Sequence, residues 1–144
     1  MQLAYQSYIQ KYGKRFLFYL SCCLPFACSD DIGNRIEGQW QLKTIEENGI
    51  VSPVDTIFYS FMRERVFSCT LLLNPDESYI WYGYIDALSD QQMQLSLDWN
   101  NYYTTTGKVE SEGGSQQRIF DILHLGGNYL TLFSNDITYS FKKH

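Results

Sequence analysis

From residue 36 onward apolar and polar residues alternate with a period of two, and the 3.6-residue period of an amphipathic helix is almost absent. Met93, Leu95, Leu97 and Trp99 alternate with Gln94, Ser96 and Asp98. Ile137, Tyr139 and Phe141 alternate with Thr138 and Ser140, and Leu130 and Leu132 with Tyr129, Thr131 and Phe133. Tyr79, Trp81, Gly83 and Ile85 share one face while Ile80, Tyr82 and Tyr84 share the other, so this strand is aromatic on both sides and reads as covered on both. Turn residues punctuate the runs: Asn48-Gly49 with Pro53, Arg63-Glu64-Arg65, Asn74-Pro75-Asp76, Ser89-Asp90 and Gly126-Gly127-Asn128. The pattern predicts eight strands, near 38–46, 56–62, 66–73, 78–86, 92–98, 118–125, 129–133 and 137–142. Short connections make successive strands antiparallel, hence a meander. The exception is the polar stretch from Asn100 to Gln117, which reads as a mobile loop or a lid over one end. An open meander exposes two edges, and closure removes them. The expectation is an all-β, up-and-down, antiparallel eight-stranded barrel, with a small β-sandwich as the alternative.

The first 35 residues follow different rules. Lys11, Lys14 and Arg15 precede an uncharged run from Phe16 to Ala27. A spanning helix needs ~20 apolar residues, and this run is too short. A basic segment, an apolar run and a small residue make a secretory signal. The pair Ala27-Cys28 resembles the lipobox of bacterial lipoproteins, in which a cysteine after a small residue is acylated and becomes the new N-terminus. Pro25 stands where the lipobox usually has Leu, with Leu24 one position further back, and Cys22 and Cys23 are rival sites. Cleavage at Cys28 gives the longest apolar run. Ser29-Asp30-Asp31 resembles the acidic tether of surface lipoproteins in Bacteroidetes-type bacteria, which points to the cell-surface side of the outer membrane. The expected organisation is a signal peptide over 1–27, a lipidated Cys28 with a tether over 28–35, and one domain over 36–144. Two or three acyl chains at ~0.8 kcal/mol per buried CH₂ would hold the chain on the membrane.

Charge narrows the partners. Removing Lys11, Lys14 and Arg15 takes the net charge from −5 to −8. That balance argues against nucleic acid, which needs a basic footprint, and against adhesion to an anionic membrane face. With Cys28 acylated, Cys69 is the one cysteine left after cleavage, so no internal disulfide forms. Between Phe67, Leu71 and Leu73 it reads as a small core residue.

Gly38-Gln39-Trp40 opens the first strand. A Gly-x-Trp in that place resembles the lipocalin signature. With the lipobox and the strand count, the stretch 36–144 is similar to the short lipocalin-like lipoproteins of Bacteroidetes. The resemblance implies a barrel whose Trp40 plugs the closed end, and a cavity for a small apolar or amphipathic molecule. It also implies a cation packed on the Trp, for which Lys142 and Lys143 are the candidates.

Aromatic residues make up 17% of the chain. Tyr79, Trp81, Tyr82, Tyr84, Trp99 and Tyr103 are the candidate ligand-binding residues, with apolar walls and phenol hydroxyls to orient a ligand. The plainer reading is that aromatics simply fill the barrel. The two part on the interior. A cavity of ~300 Å³ or more beside the Tyr79–Tyr84 strand favours binding, whereas dense filling favours an interaction protein that meets a protein or glycan partner through its surface and the 100–117 loop. No catalytic residue, cofactor or metal site is expected: His124 lies between two leucines, no Gly-x-Ser-x-Gly elbow occurs, and no His or Cys cluster is present. Asp86, Asp98 and Asp121 are the remaining carboxylates on or near strands, from which a glycosidase pair would have to come. The expected protein is therefore a monomeric, non-enzymatic binder in the outer membrane, tied there by its anchor.

Overall fold

The structure is a computed structural model and describes residues 32–110 and 113–144. The signal segment 1–27, Cys28 and its rivals Cys22 and Cys23 lie outside the described residues. A short helix, α1 (Ile32–Ile36), precedes eleven strands: β1 (Gly38–Glu47), β2 (Ile50–Pro53), β3 (Ile57–Phe61), β4 (Val66–Asn74), β5 (Glu77–Ser89), β6 (Gln92–Asp98), β7 (Asn101–Thr104), β8 (Gly107–Glu110), β9 (Ser115–Gly126), β10 (Tyr129–Ser134) and β11 (Ile137–Lys143).

Eight of these strands close into an antiparallel barrel in the order β1, β3, β4, β5, β6, β9, β10, β11 and back to β1. They occupy the eight segments that the alternation predicts. The closing ladder pairs Trp40 with Lys143 and Leu42 with Phe141. The other three strands are additions at the rim. β2 folds back on the end of β1 through Asn48-Gly49, both at positive φ, as a tight two-residue hairpin requires. β7 and β8 form a hairpin that touches β5 at Ile80–Tyr103. The stretch 100–117, expected as a loop, is therefore mostly strand; its Tyr and Thr residues suit an extended backbone, and Gly107 at φ 135 closes the turn.

Alternation sets which side chains go inside. Trp40, Leu42, Phe61, Phe67, Ile85, Met93, Leu95, Phe120, Leu130, Leu132 and Phe141 form one buried cluster. Cys69 belongs to it, 9% exposed. Bulges at Leu42/Thr44, Leu72/Asn74, Ala87/Ser89 and Thr131/Leu132 bend the strands as a small barrel needs. Gly83 sits at the tightest contact. A Cβ there would fall on the Ser96 carbonyl oxygen and within 3.0 Å of the Leu97 Cα, both backbone atoms of the neighbouring strand.

One end of the barrel is closed. Trp40, 1% exposed, donates its indole Nε1–H to the Ile36 carbonyl at 2.7 Å. Lys143 Nζ lies 5.2 Å from the Trp40 ring centroid, so Lys143 is the cation on the Trp. Gly38, at φ 126, leaves the room this needs; a Cβ there would stand 2.9 Å from Lys143 Cε. The segment expected as a polar tether is in its last residues part of this plug. Ile32 and Ile36 are buried at 2% and 0%, four residues apart on one face of α1. Five residues make no stable helix alone, and docking these two side chains supplies the stabilisation.

Candidate functional site

The other end is open, and its wall is aromatic. Tyr79 and Trp81 project inward from β5, following the parity of buried Gly83 and Ile85. Trp99, just after β6, meets Trp81 at 4.9 Å between ring centroids. Tyr102 of the β7–β8 hairpin packs on Tyr79 at 5.1 Å and on Trp81 at 5.9 Å. Gly113 brings the returning chain against Trp99, whose amide donates to the Gly114 carbonyl at 2.8 Å. Trp81, Trp99, Tyr102, Gly113 and Gln116 line a recess of about 430 Å³ that opens to solvent.

Below it lies a smaller cavity of about 110 Å³, bounded by Tyr59, Phe67, Leu95, Leu97, Trp99, Gln116, Arg118 and Phe120. The two are neighbours, with Trp99 and Gln116 forming part of the wall of each. The deep barrel is filled, and the space within it is well short of ~300 Å³. The recess is a shallow aromatic shelf, wide open to solvent.

A polar, solvent-exposed group stands at the lip of this apolar wall. Arg118 pairs with Leu95 across the β6–β9 ladder and shares the inward face of β9 with Gln116 and buried Phe120. Its Nη1–H donates to the Tyr139 hydroxyl at 2.9 Å. Tyr59 packs between Phe67, edge to face at 5.0 Å, and Phe141, tilted at 4.9 Å. Burial above all pushes its phenol pKa upward, with further increments from Cys69 and Tyr139 and a smaller opposing pull from Arg118. Burial alone pushes the Cys69 thiol from its ordinary 9.0 up to about 12. Both groups are protonated at neutral pH.

Of the six aromatics that the sequence puts forward, the structure brings Tyr79, Trp81 and Trp99 to the mouth. Tyr82, Tyr84 and Tyr103 face outward and do not line it. Tyr82 and Tyr84 alternate with the inward residues of β5 and are 44% and 67% exposed, so that strand is uncovered on its outer face. Tyr103 packs on Tyr82 at 5.3 Å, outside the barrel. Gln116, Arg118, Tyr59 and Tyr139 are additions from the structure. Asp86, Asp98 and Asp121 point away from the mouth. Asp86 faces Arg65 at 3.9 Å, and Asp121 accepts from Gln92 at 2.9 Å. Asp98 accepts from the Asn100 amide and the Asn101 side chain, bonds that hold its pKa below the usual carboxylate value. Among the described residues no group of three or more His, Cys, Asp or Glu could hold a metal ion.

A closed eight-stranded meander with a Trp plug at one end and an aromatic mouth at the other is a barrel of the lipocalin type. The chain belongs to the lipocalin-like domain family, whose profile it matches over residues 20–144. Two solved structures share its fold. An uncharacterized protein from Bacteroides eggerthii is 23% identical, with a TM-score of 0.60 over 76% of this chain and 99% of that one. A lipocalin-like protein from Bacteroides uniformis is 22% identical, with a TM-score of 0.58 over the same shares. No curated protein matches the chain.

Proposed function

We propose that this chain is a binding protein of the bacterial envelope, lipid-anchored through Cys28, that holds a small amphipathic molecule at the open end of its barrel. The observation that carries the reading is the aromatic recess beside the interior cavity: Trp81, Trp99 and Tyr102 line the recess, and Tyr59, Gln116 and Arg118 bring hydroxyl, amide and guanidinium groups to the cavity. Flat aromatic walls contribute affinity and a few polar groups fix orientation. The ligand is short or lies partly outside, because the lower barrel is full. The family supports a lipocalin-like binding protein, and the apolar run that ends at Ala27-Cys28 supports the envelope setting.

Native mass spectrometry of the protein purified from its own host tests the binding. The expected result is a co-purifying small molecule that is lost on substituting Trp81→Ala and Trp99→Ala together; a bare mass for the unsubstituted protein would refute it. Anchoring has a separate test: Cys28→Ser should move the protein out of the membrane fraction, and release by Cys22→Ser instead would relocate the acylation site. A second reading rests on the exposed outer row Tyr82, Tyr84 and Tyr103, a surface suited to a protein or glycan partner.

A further inference from the structure

Arg118 is solvent-exposed at the mouth of the barrel, yet it also lines the interior cavity. Three ion pairs link described residues, Arg63–Glu37, Arg65–Asp86 and Lys108–Glu110, and none includes Arg118. The chain carries 16 Asp and Glu against 11 Lys and Arg. In so acidic a protein, a guanidinium with no carboxylate against it stands where cavity and rim meet. It lines the interior cavity on one side and a rim groove with Gln116, Ser134 and Asn135 on the other. A guanidinium carries five N–H donors in a planar fork, and one of them goes to Tyr139. Because the Tyr139 oxygen accepts that bond, its own hydrogen remains to donate elsewhere. Tyr59, held protonated by burial, is a further hydroxyl on the same cavity.

Resting on the mouth as a binding site, we infer that its ligand class is a small amphipathic carboxylate, with its head on Arg118 and Tyr139 and its apolar body across Trp81, Trp99 and Tyr102. The planar fork matches the two oxygens of a carboxylate, and the bond is charge-assisted. The cavity of about 110 Å³ takes the head and the first carbons, while the recess of about 430 Å³ takes the rest. A cationic amphiphile would meet Arg118 as a like charge, and a neutral one would forgo the ionic bond.

Isothermal titration of the full chain with octanoate, 1-octanol and octylammonium, all below their aggregation limits, tests this. Octanoate is expected to bind about tenfold or more tighter than octanol, the gain of a charge-assisted hydrogen bond, with octylammonium weakest. Arg118→Gln should collapse the octanoate-to-octanol ratio towards one, and Arg118→Lys should keep part of it. Equal affinity for octanoate and octanol in the unsubstituted protein, or a ratio that survives Arg118→Gln, would overturn the head-group assignment and leave the binding site standing. If none of the three binds, the site itself falls. Should Arg118→Gln fail to fold, Tyr139→Phe replaces it: a lowered ratio supports the assignment, and an unchanged ratio overturns it.

Discussion

Trp40→Phe is the most informative single change at the closed end. The indole Nε1–H reaches the Ile36 carbonyl at 2.7 Å in a buried setting. Phenylalanine removes the donor and leaves that carbonyl unpaired, at a cost of about 1–3 kcal/mol. The smaller ring gives up part of the packing, about 1 kcal/mol, and weakens the contact with Lys143, worth about 0.5–1 kcal/mol at full strength. About 3 kcal/mol in all is a large share of the roughly 5–15 kcal/mol that holds a domain of this size. Urea unfolding followed by far-UV circular dichroism measures it. The same substitution in a chain starting at Glu37 separates the parts. There the carbonyl partner is absent, so the penalty should shrink to about 1–2 kcal/mol of packing and ring–cation contact. Equal penalties in both chains would mean that the indole does not clamp α1, and the plug would have to be explained by packing alone.

Gly83→Ala is expected to cost about 3 kcal/mol or more, or to prevent folding, because the added Cβ meets backbone of β6 that cannot swing aside; a thermal melt within a few degrees of the unsubstituted protein would contradict that packing. Stability should fall in alkali. In the unfolded chain the Cys69 thiol ionises near 9.0, whereas in the fold it is held up to about 12. The unfolded state therefore binds fewer protons between those values and stability declines as pH rises, by about 1 kcal/mol between pH 9 and pH 10. Cys69→Ala should remove that slope, with the upward-shifted Tyr59 adding its own decline only at higher pH, and urea titrations at several pH values decide it. Tyr82→Ser with Tyr84→Ser should leave octanoate affinity unchanged in calorimetry, since both side chains lie outside the barrel; a large loss would place the ligand on the outer face.

Much of the fold was legible because strand parity is a local signal. Met93, Leu95 and Leu97 alternate with polar neighbours in the sequence and point inward in the barrel. The same rule hid part of the site. Gln116 falls in the stretch expected as a loop and Arg118 at the predicted start of a strand, so polarity kept both out of the site, yet they share the inward parity of Phe120 near the mouth. Parity also separates Tyr82 and Tyr84 from Tyr79 and Trp81. Joining all four in one site rested on taking β5 as covered on both faces, and its outer face is open. The helix Ile32–Ile36 carries too few residues to signal itself, because its stability comes from the barrel end it docks against rather than from its own sequence. The hairpin of Asn101–Thr104 and Gly107–Glu110 was masked by its polarity, and what orders it is Tyr102 on Tyr79 and Trp81, a contact distant in sequence.

The chain has 3 tryptophans, and their positions allow a direct test of binding at the mouth. Trp81 and Trp99 line the recess, while Trp40 is buried in the plug at the other end. Two-dimensional ¹H–¹⁵N spectra resolve the three indole N–H signals, assigned by single Trp→Phe substitutions. Titration with octanoate should shift the Trp81 and Trp99 signals together, saturate with a single affinity and leave Trp40 in place. Shifts confined to Trp40, or none at saturating octanoate, would contradict an open aromatic end built to hold a ligand.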